Sequence, residues 1–347
     1  MTGRRLAQLV LHALLAAALV GAQPLGAQRG PANQTVALAR VSTVGFTVAD
    51  LDRSVDFFTR VLGFTMDGET EVAGPAYEEL TGVFGVRMRV ARVRLGAETL
   101  EITQYLAPEG RPMPVDTRSQ DRWFQHVAIV VSDVDAAYRR LREHKVRHAS
   151  TGPQLLPGAN PNAGGIRAFY FKDPDGHFLE LIWFPPGKGD PRWQRATSAP
   201  LFLGIDHTAI VVRDTEASLR FYRDLLGFSV AGQSRNFGTE QAHLNNVEGA
   251  SLLITGLRLP EGPGVELLEY ITPSDGRDYP AAARANDVLH WHTTLVARRP
   301  DALALAATMG SPLVSRGVAA LLDSALGFRR AVMVRDADGH VVRIIDR

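Results

Sequence analysis

The sequence predicts an α+β protein of four β-α-β-β-β modules, paired into two tandem domains. Three observations carry the prediction. A strand-then-cap phrase recurs as Thr43-Val-Gly-Phe-Thr-Val-Ala-Asp50, His126-Val-Ala-Ile-Val-Val-Ser-Asp133 and His207-Thr-Ala-Ile-Val-Val-Arg-Asp214, with His292-Thr-Thr-Leu-Val-Ala-Arg-Arg299 as a looser fourth copy. The copies start at a nearly constant interval of about 80 residues, too long for a solenoid repeat and long enough for a folded module. Each copy leads into a helical stripe, and short apolar runs then close the module.

In the first module the strand at 41–48 runs into Asp50, a good N-cap residue. The helix at 51–62 carries Leu51, Val55, Phe58 and Leu62 on one stripe, and Gly63 stands at its C-terminal cap. Strand-like runs follow at 64–70, 86–95 and 99–105. The second module has Asp133, the stripe Ala137, Tyr138 and Leu141, then runs at 168–172 and 178–184 joined by Asp173-Pro-Asp-Gly176. The third repeats the first closely, with Asp214 as cap, Leu219, Tyr222 and Leu226 as stripe, and Gly227-Phe228 at the helix end. The fourth opens its helix at Pro300 and Asp301 and ends with runs at 331–334 and 341–345 around Asp336-Ala-Asp-Gly339. Asp-Gly between two apolar runs is a hairpin signal.

The Pro/Gly-rich stretch beginning Pro185-Pro-Gly-Lys-Gly-Asp-Pro191 marks a boundary. Neighbouring modules are expected to pair, one with two over 38–186 and three with four over 201–347, with 187–200 as linker. The loop at 156–165 is either a cover over a site or an ordinary surface loop.

At 347 residues the chain is long enough for about two domains with separate cores. Its net charge of +1, from 38 basic and 37 acidic residues without a dense basic run, argues against a nucleic-acid partner. Arg4 and Arg5, an apolar stretch to about Ala22 and small residues to Ala27 read as a secretory signal peptide over 1–27, cut after Ala22 or Ala27. A retained membrane anchor is the alternative; cleavage is expected, which places the mature chain in the periplasm or outside the cell. With no cysteine, the chain has no disulfide, no thiolate metal site and no Cys nucleophile.

Glu101, Glu180, Glu269 and Arg343 each sit among apolar residues in the last run of a module. Strand alternation sends the charge to one face while its neighbours pack on the other. A carboxylate on an enclosed face is costly unless it is paired or metal-bound. Three acids at one point of the repeat and three histidines at another therefore point to metal binding. His177 and His340, after the Asp-Gly turns, are expected to face solvent, His290 to be a packed or rim residue, and His243 to lie in a loop. Trp123, Phe124 and Tyr105 fit either an aromatic pocket or the core.

The pieces His126 to Asp133 with Asp173-Pro-Asp-Gly-His-Phe-Leu-Glu-Leu181, and His207 to Asp214 with Gly227-Phe228, make the chain from 37 to 347 resemble the vicinal oxygen chelate superfamily, which includes glyoxalase I, extradiol dioxygenases and bleomycin-resistance proteins. The resemblance implies that each pair of modules forms an eight-stranded cup, two tandem cups in all, with metal ligands from the first and last strand of each module. It implies Thr43, Glu101, His126 and Glu180 for the first cup, of which Glu101, His126 and Glu180 can bind metal. For the second it implies His207, Glu269, His292 and Arg343, with Arg343 able to pair with Glu269 and displace a cation. The donors suit Zn, Ni, Co, Mn or Fe, and Glu101 or Glu180 would act as general base. Glutathione is a doubtful co-substrate for an exported chain.

Two functions remain. One is an enzyme polarising a small, vicinally oxygenated substrate with a divalent metal, of lyase, isomerase or dioxygenase type. The other is a metal-free protein that binds or sequesters a small molecule.

Overall fold

The computed structural model describes residues 35–194, 200–299 and 301–346. The expected signal peptide lies outside them, as do residues 195–199 of the expected linker. Module one comprises β1 (Leu38–Val48), α1 (Leu51–Asp56) continued by a π-turn at Phe57–Val61, β2 (Thr65–Ala73), α2 (Pro75–Thr81), β3 (Arg87–Leu95) and β4 (Glu98–Ala107). Module two comprises β5 (Gln125–Val131), α3 (Val134–Glu143), the short β6 (Arg147–His148) and β7 (Gln154–Leu155), β8 (Arg167–Lys172) and β9 (Phe178–Trp183). Module three has β10 (Phe202–Val212), α4 (Thr215–Leu219) with a π-turn at Arg220–Leu225, β11 (Ser229–Phe237), α5 (Thr239–Asn245), β12 (Ser251–Arg258) and β13 (Gly264–Thr272). Module four has β14 (Trp291–Ala297), α6 (Ala302–Thr308), β15 (Ala319–Ala320), β16 (Arg330–Arg335) and β17 (Val341–Ile345). His243 lies on α5, exposed, rather than in a loop.

The helix ends obey their local chemistry. The side chains of Asp50, Asp133 and Asp214 accept from backbone N–H groups of the first turn. Gly63 and Gly227 take φ of 73° and 76°, and the next residues, Phe64 and Phe228, donate back to Phe58 and Tyr222, closing a Schellman-type end.

Strand order corrects the expected pairing. One sheet runs β15-β16-β17-β14-β1-β4-β3-β2, joining module four to module one. The other runs β11-β12-β13-β10-β5-β9-β8-β6, joining module three to module two. We call these the outer and the inner cup. At each centre two first strands lie antiparallel, β1 with β14 and β5 with β10, each flanked by its module's last strand in parallel.

Modules one and two, and modules three and four, meet through helices and loops instead. Phe46, Phe58 and Leu62 of module one share a core with Ile129, Leu141 and Phe169 of module two. The connections at 108–124 and 273–290 clasp one another. Gly110 lies against the Asn286 backbone and Gly276 against that of Gln120, so closely that a Cβ at either would overlap a carbonyl oxygen. Flanking them, Arg111 pairs with Asp287 at 2.6 Å and Arg277 with Asp121 at 2.7 Å.

His177 and His340, expected at the surface, are buried parts of this joint. His177 donates from Nδ1 to Asp173 and from Nε2 to the Val288 carbonyl, 2.8 and 2.7 Å away. Burial disfavours its charge, but Asp173 outweighs that and raises the imidazole pKa above its ordinary value. His340 reaches the Val211 carbonyl at 2.8 Å.

Candidate metal centre

Register places the polar groups. In every module the charged residue of the last strand stands opposite the third residue of the phrase: Glu101 opposite Gly45, Glu180 opposite Ala128, Glu266 opposite Ala209 and Arg343 opposite Thr294. The acid of module three is therefore Glu266 and not Glu269. Glu269 is three residues on and faces the helices, where its Oε2 accepts from Thr215 N at 2.9 Å. Gln104, three residues after Glu101, accepts from Leu51 N in the same manner. That correspondence, and the matching strand distance from His207, are the signals by which Glu266 could have been found.

In the inner cup the register brings together His126, Glu180, His207 and Glu266. Ligand atoms of the first three all lie within 4.8 Å of one another, and all three residues are buried. His126 Nε2 is 3.1 Å from Glu180 Oε2, and His207 Nε2 is 3.5 Å from the same oxygen and 3.4 Å from Glu266 Oε2. The sequence-based set is thus split. His126 and Glu180 stay together, His207 joins them, and Glu101 belongs to the outer cup with His292.

These donors fit a divalent cation. The His126 ring is buried, its Nδ1 has no hydrogen-bond partner among the described residues, and its Nε2 faces Glu180. His207 donates from Nδ1 to Asp206 Oδ2 at 3.0 Å, which leaves its Nε2 lone pair for the centre. Asp206 is itself held by Trp193 Nε1 at 2.8 Å and Arg258 at 2.9 Å. Trp193 comes from the segment expected to be linker. Burial pushes the Glu180 carboxyl up, yet the imidazoles of His126 and His207 outweigh it and bring it to about 2. Burial likewise opposes charge on His207, and Glu266, Asp206 and Glu180 overcome it, raising its pKa well above the usual value. Mixed imidazole and carboxylate donors suit Zn, Ni, Co, Mn or Fe.

The centre lies in the wall of a cavity of about 360 Å³, within the range of small-molecule sites. Its covering wall is the loop at 156–165, which contributes Leu156, Asn162 and Ala163. Asn160 Nδ2 holds that loop to Asn236 Oδ1 on β11 at 2.7 Å. Phe124 and Trp123 are core residues.

The outer cup is filled instead. Arg343 donates to both oxygens of Glu101, at 2.7 and 3.0 Å, and to Thr294 at 3.1 Å. Arg343 thus pairs with Glu101, and not with Glu269. Burial raises the Glu101 carboxyl, but Arg343 and His292 hold it well below the usual range. His292 Nε2 is 3.5 Å from Glu101, and burial with the nearby Arg343 charge lowers its pKa. His290 is buried beside it, in keeping with a packed residue. Leu80, Met88, Tyr105, Phe328 and Met333 pack the concave face. The space left is about 20 Å³, room for about one water.

This fold and site define a class. The profile of the Glyoxalase/Bleomycin resistance protein/Dioxygenase superfamily matches residues 40–181 and 204–344, and the chain belongs to that superfamily. Among its relatives, 2-epi-5-epi-valiolone epimerase of Actinomyces sp is 39% identical over 153 residues, covering 42% of this chain and 80% of that protein. Lactoylglutathione lyase of Escherichia coli O157:H7 is 30% identical over 136 residues, covering 39% and 85%. Glyoxalase I from Zea mays has the same fold, with a TM-score of 0.56 at 19% identity over 88% of this chain and 92% of that one. The relatives named as an epimerase and a lyase support an enzyme.

Proposed function

We propose that this chain is a metal-dependent enzyme of isomerase or lyase type, moving a proton at the carbon beside a carbonyl in a small oxygenated molecule. One observation carries the reading: His126, Glu180 and His207 bring ligand atoms within 4.8 Å of one another in the wall of the inner-cup cavity, with Glu266 3.4 Å from His207 and no guanidinium seated on the acid as in the outer cup. His126, Glu180, His207 and Glu266 would hold the cation, which would act as a Lewis acid toward the carbonyl oxygen. Glu180 is pinned between His126 and His207. Glu266, whose side chain is 29% exposed against 6% for Glu180, faces the cavity more openly. Its carboxylate is the group placed to take the proton from the substrate carbon and return it to a neighbouring atom. Glu101 has no part in this step.

Relatives named as an epimerase and a lyase support this kind of reaction. Dioxygenase chemistry is supported less, since non-haem iron oxygenases use two histidines and one carboxylate with open positions, and Glu266 adds a second carboxylate. The apolar N-terminal stretch supports action in the periplasm or outside the cell.

Metal analysis of the purified protein tests the reading. About one divalent ion per chain is expected, lost in His126→Ala, His207→Ala and Glu180→Ala and kept in Arg343→Leu. No bound ion after loading with zinc, nickel, cobalt, manganese and iron would turn the assignment to a metal-free binding protein.

A further inference from the structure

We infer that the inner-cup cavity takes an uncharged, polyhydroxylated carbonyl compound, and that a wall of amide side chains reads its hydroxyl groups. The carbonyl part rests on the function proposed above; the hydroxyl part rests on the wall alone. Among the residues lining the cavity are Asn236, Gln241 and Asn162. Gln241 is only 2% exposed, and its Oε1 has no partner among the described residues, while its Nε2 is committed to Asn245. A buried amide oxygen without a partner costs about 1–3 kcal/mol. A substrate hydroxyl would relieve that cost by donating, and an apolar group would not. Asn236, also buried, keeps its Oδ1 on Asn160. These bonds hold the amides in place before a ligand arrives.

The charges argue the same way. Arg258 is the only lysine or arginine lining this cavity among the described residues, and its guanidinium is committed to Asp206 through the carbonyl and the carboxylate. Asp190, Asp206, Glu180 and Glu266 surround the space. A substrate carrying carboxylates, such as a glutathione adduct, would find no free cation inside and several acids. Arg235 lies in the adjoining groove, outside this cavity.

Calorimetric titration of the zinc-loaded protein with 2-keto-myo-inositol and with S-hexylglutathione tests the inference, with metal content measured in parallel. The inositol ketone should bind and the glutathione derivative should not. Gln241→Leu should weaken binding of the ketone by at least about ten-fold, with zinc content unchanged. Asn162→Ala, on the exposed covering loop, should also weaken it and serves if Gln241→Leu does not fold. Preference for S-hexylglutathione, no binding of the ketone, or full affinity in both variants would overturn the inference. Ketone binding that depends on Gln241 in a protein that holds no zinc would uphold the hydroxyl reading and sink the metal-dependent function instead.

Discussion

Two buried guanidinium–carboxylate contacts at 2.7 and 3.0 Å join Arg343 to Glu101, and they close the outer cup to any other cation. Breaking such a pair on one side strands the other charge. Arg343→Leu should therefore cost about 3–5 kcal/mol, read as a lower urea midpoint. Glu101→Leu combined with Arg343→Leu should recover most of that loss, because a buried pair replaced by apolar groups is often neutral. In the inner cup the equivalent test is Asp206→Ala, which frees the His207 ring without removing a ligand. Metal affinity should fall about 10–100-fold in a competition titration with a chelator. The residue types at these positions were legible in the sequence, His126, Glu180 and His207 included. Glu266 was not, because Glu269 has the same apolar neighbours and only strand register separates them.

At the scale of elements, the clasp between the connections at 108–124 and 273–290 decides how neighbouring modules meet. Gly110→Ala would force a methyl group onto the Asn286 carbonyl, and should destabilise the fold by about 1–3 kcal/mol in urea unfolding. The same clasp predicts an acid limb. Burial raises the carboxyls of Asp121 and Asp287, but Arg277, Arg111 and backbone N–H groups outweigh it and lower both. Acids lowered in the folded state stabilise it above their unfolded value of about 3.9, and the contribution is lost as pH falls through the folded value. Asp121→Asn should thus show a shallower loss of urea midpoint between about pH 6 and pH 2 than the parent. Helices and strands were readable from caps and periodicity. The short α2 and α5 were not, lying in stretches without a long stripe.

For the whole molecule, the consequence of the strand order is that the centre draws His126 and Glu180 from one matched repeat and His207 and Glu266 from the other. A ligand that binds only the folded chain stabilises it by about 2.7 kcal/mol at one hundred times its dissociation constant. Zinc should therefore raise the thermal midpoint, and chelation should lower it for both repeats together. A chelator that melts one repeat and spares the other would contradict a shared centre. Arg343→Leu should lower the starting midpoint and leave the zinc increment unchanged.

What the amino-acid order determined by itself was local: four modules, their caps and turns, and the alternation that sends an acid or an imidazole to one face of each strand. Those features follow from interactions between residues close in the chain. Tertiary structure alone decided which first strands lie side by side, because the four phrases present nearly the same apolar face and any two could pair. That choice seats Arg343 on Glu101 in one cup, and in the other leaves Glu180 and Glu266 facing two imidazoles.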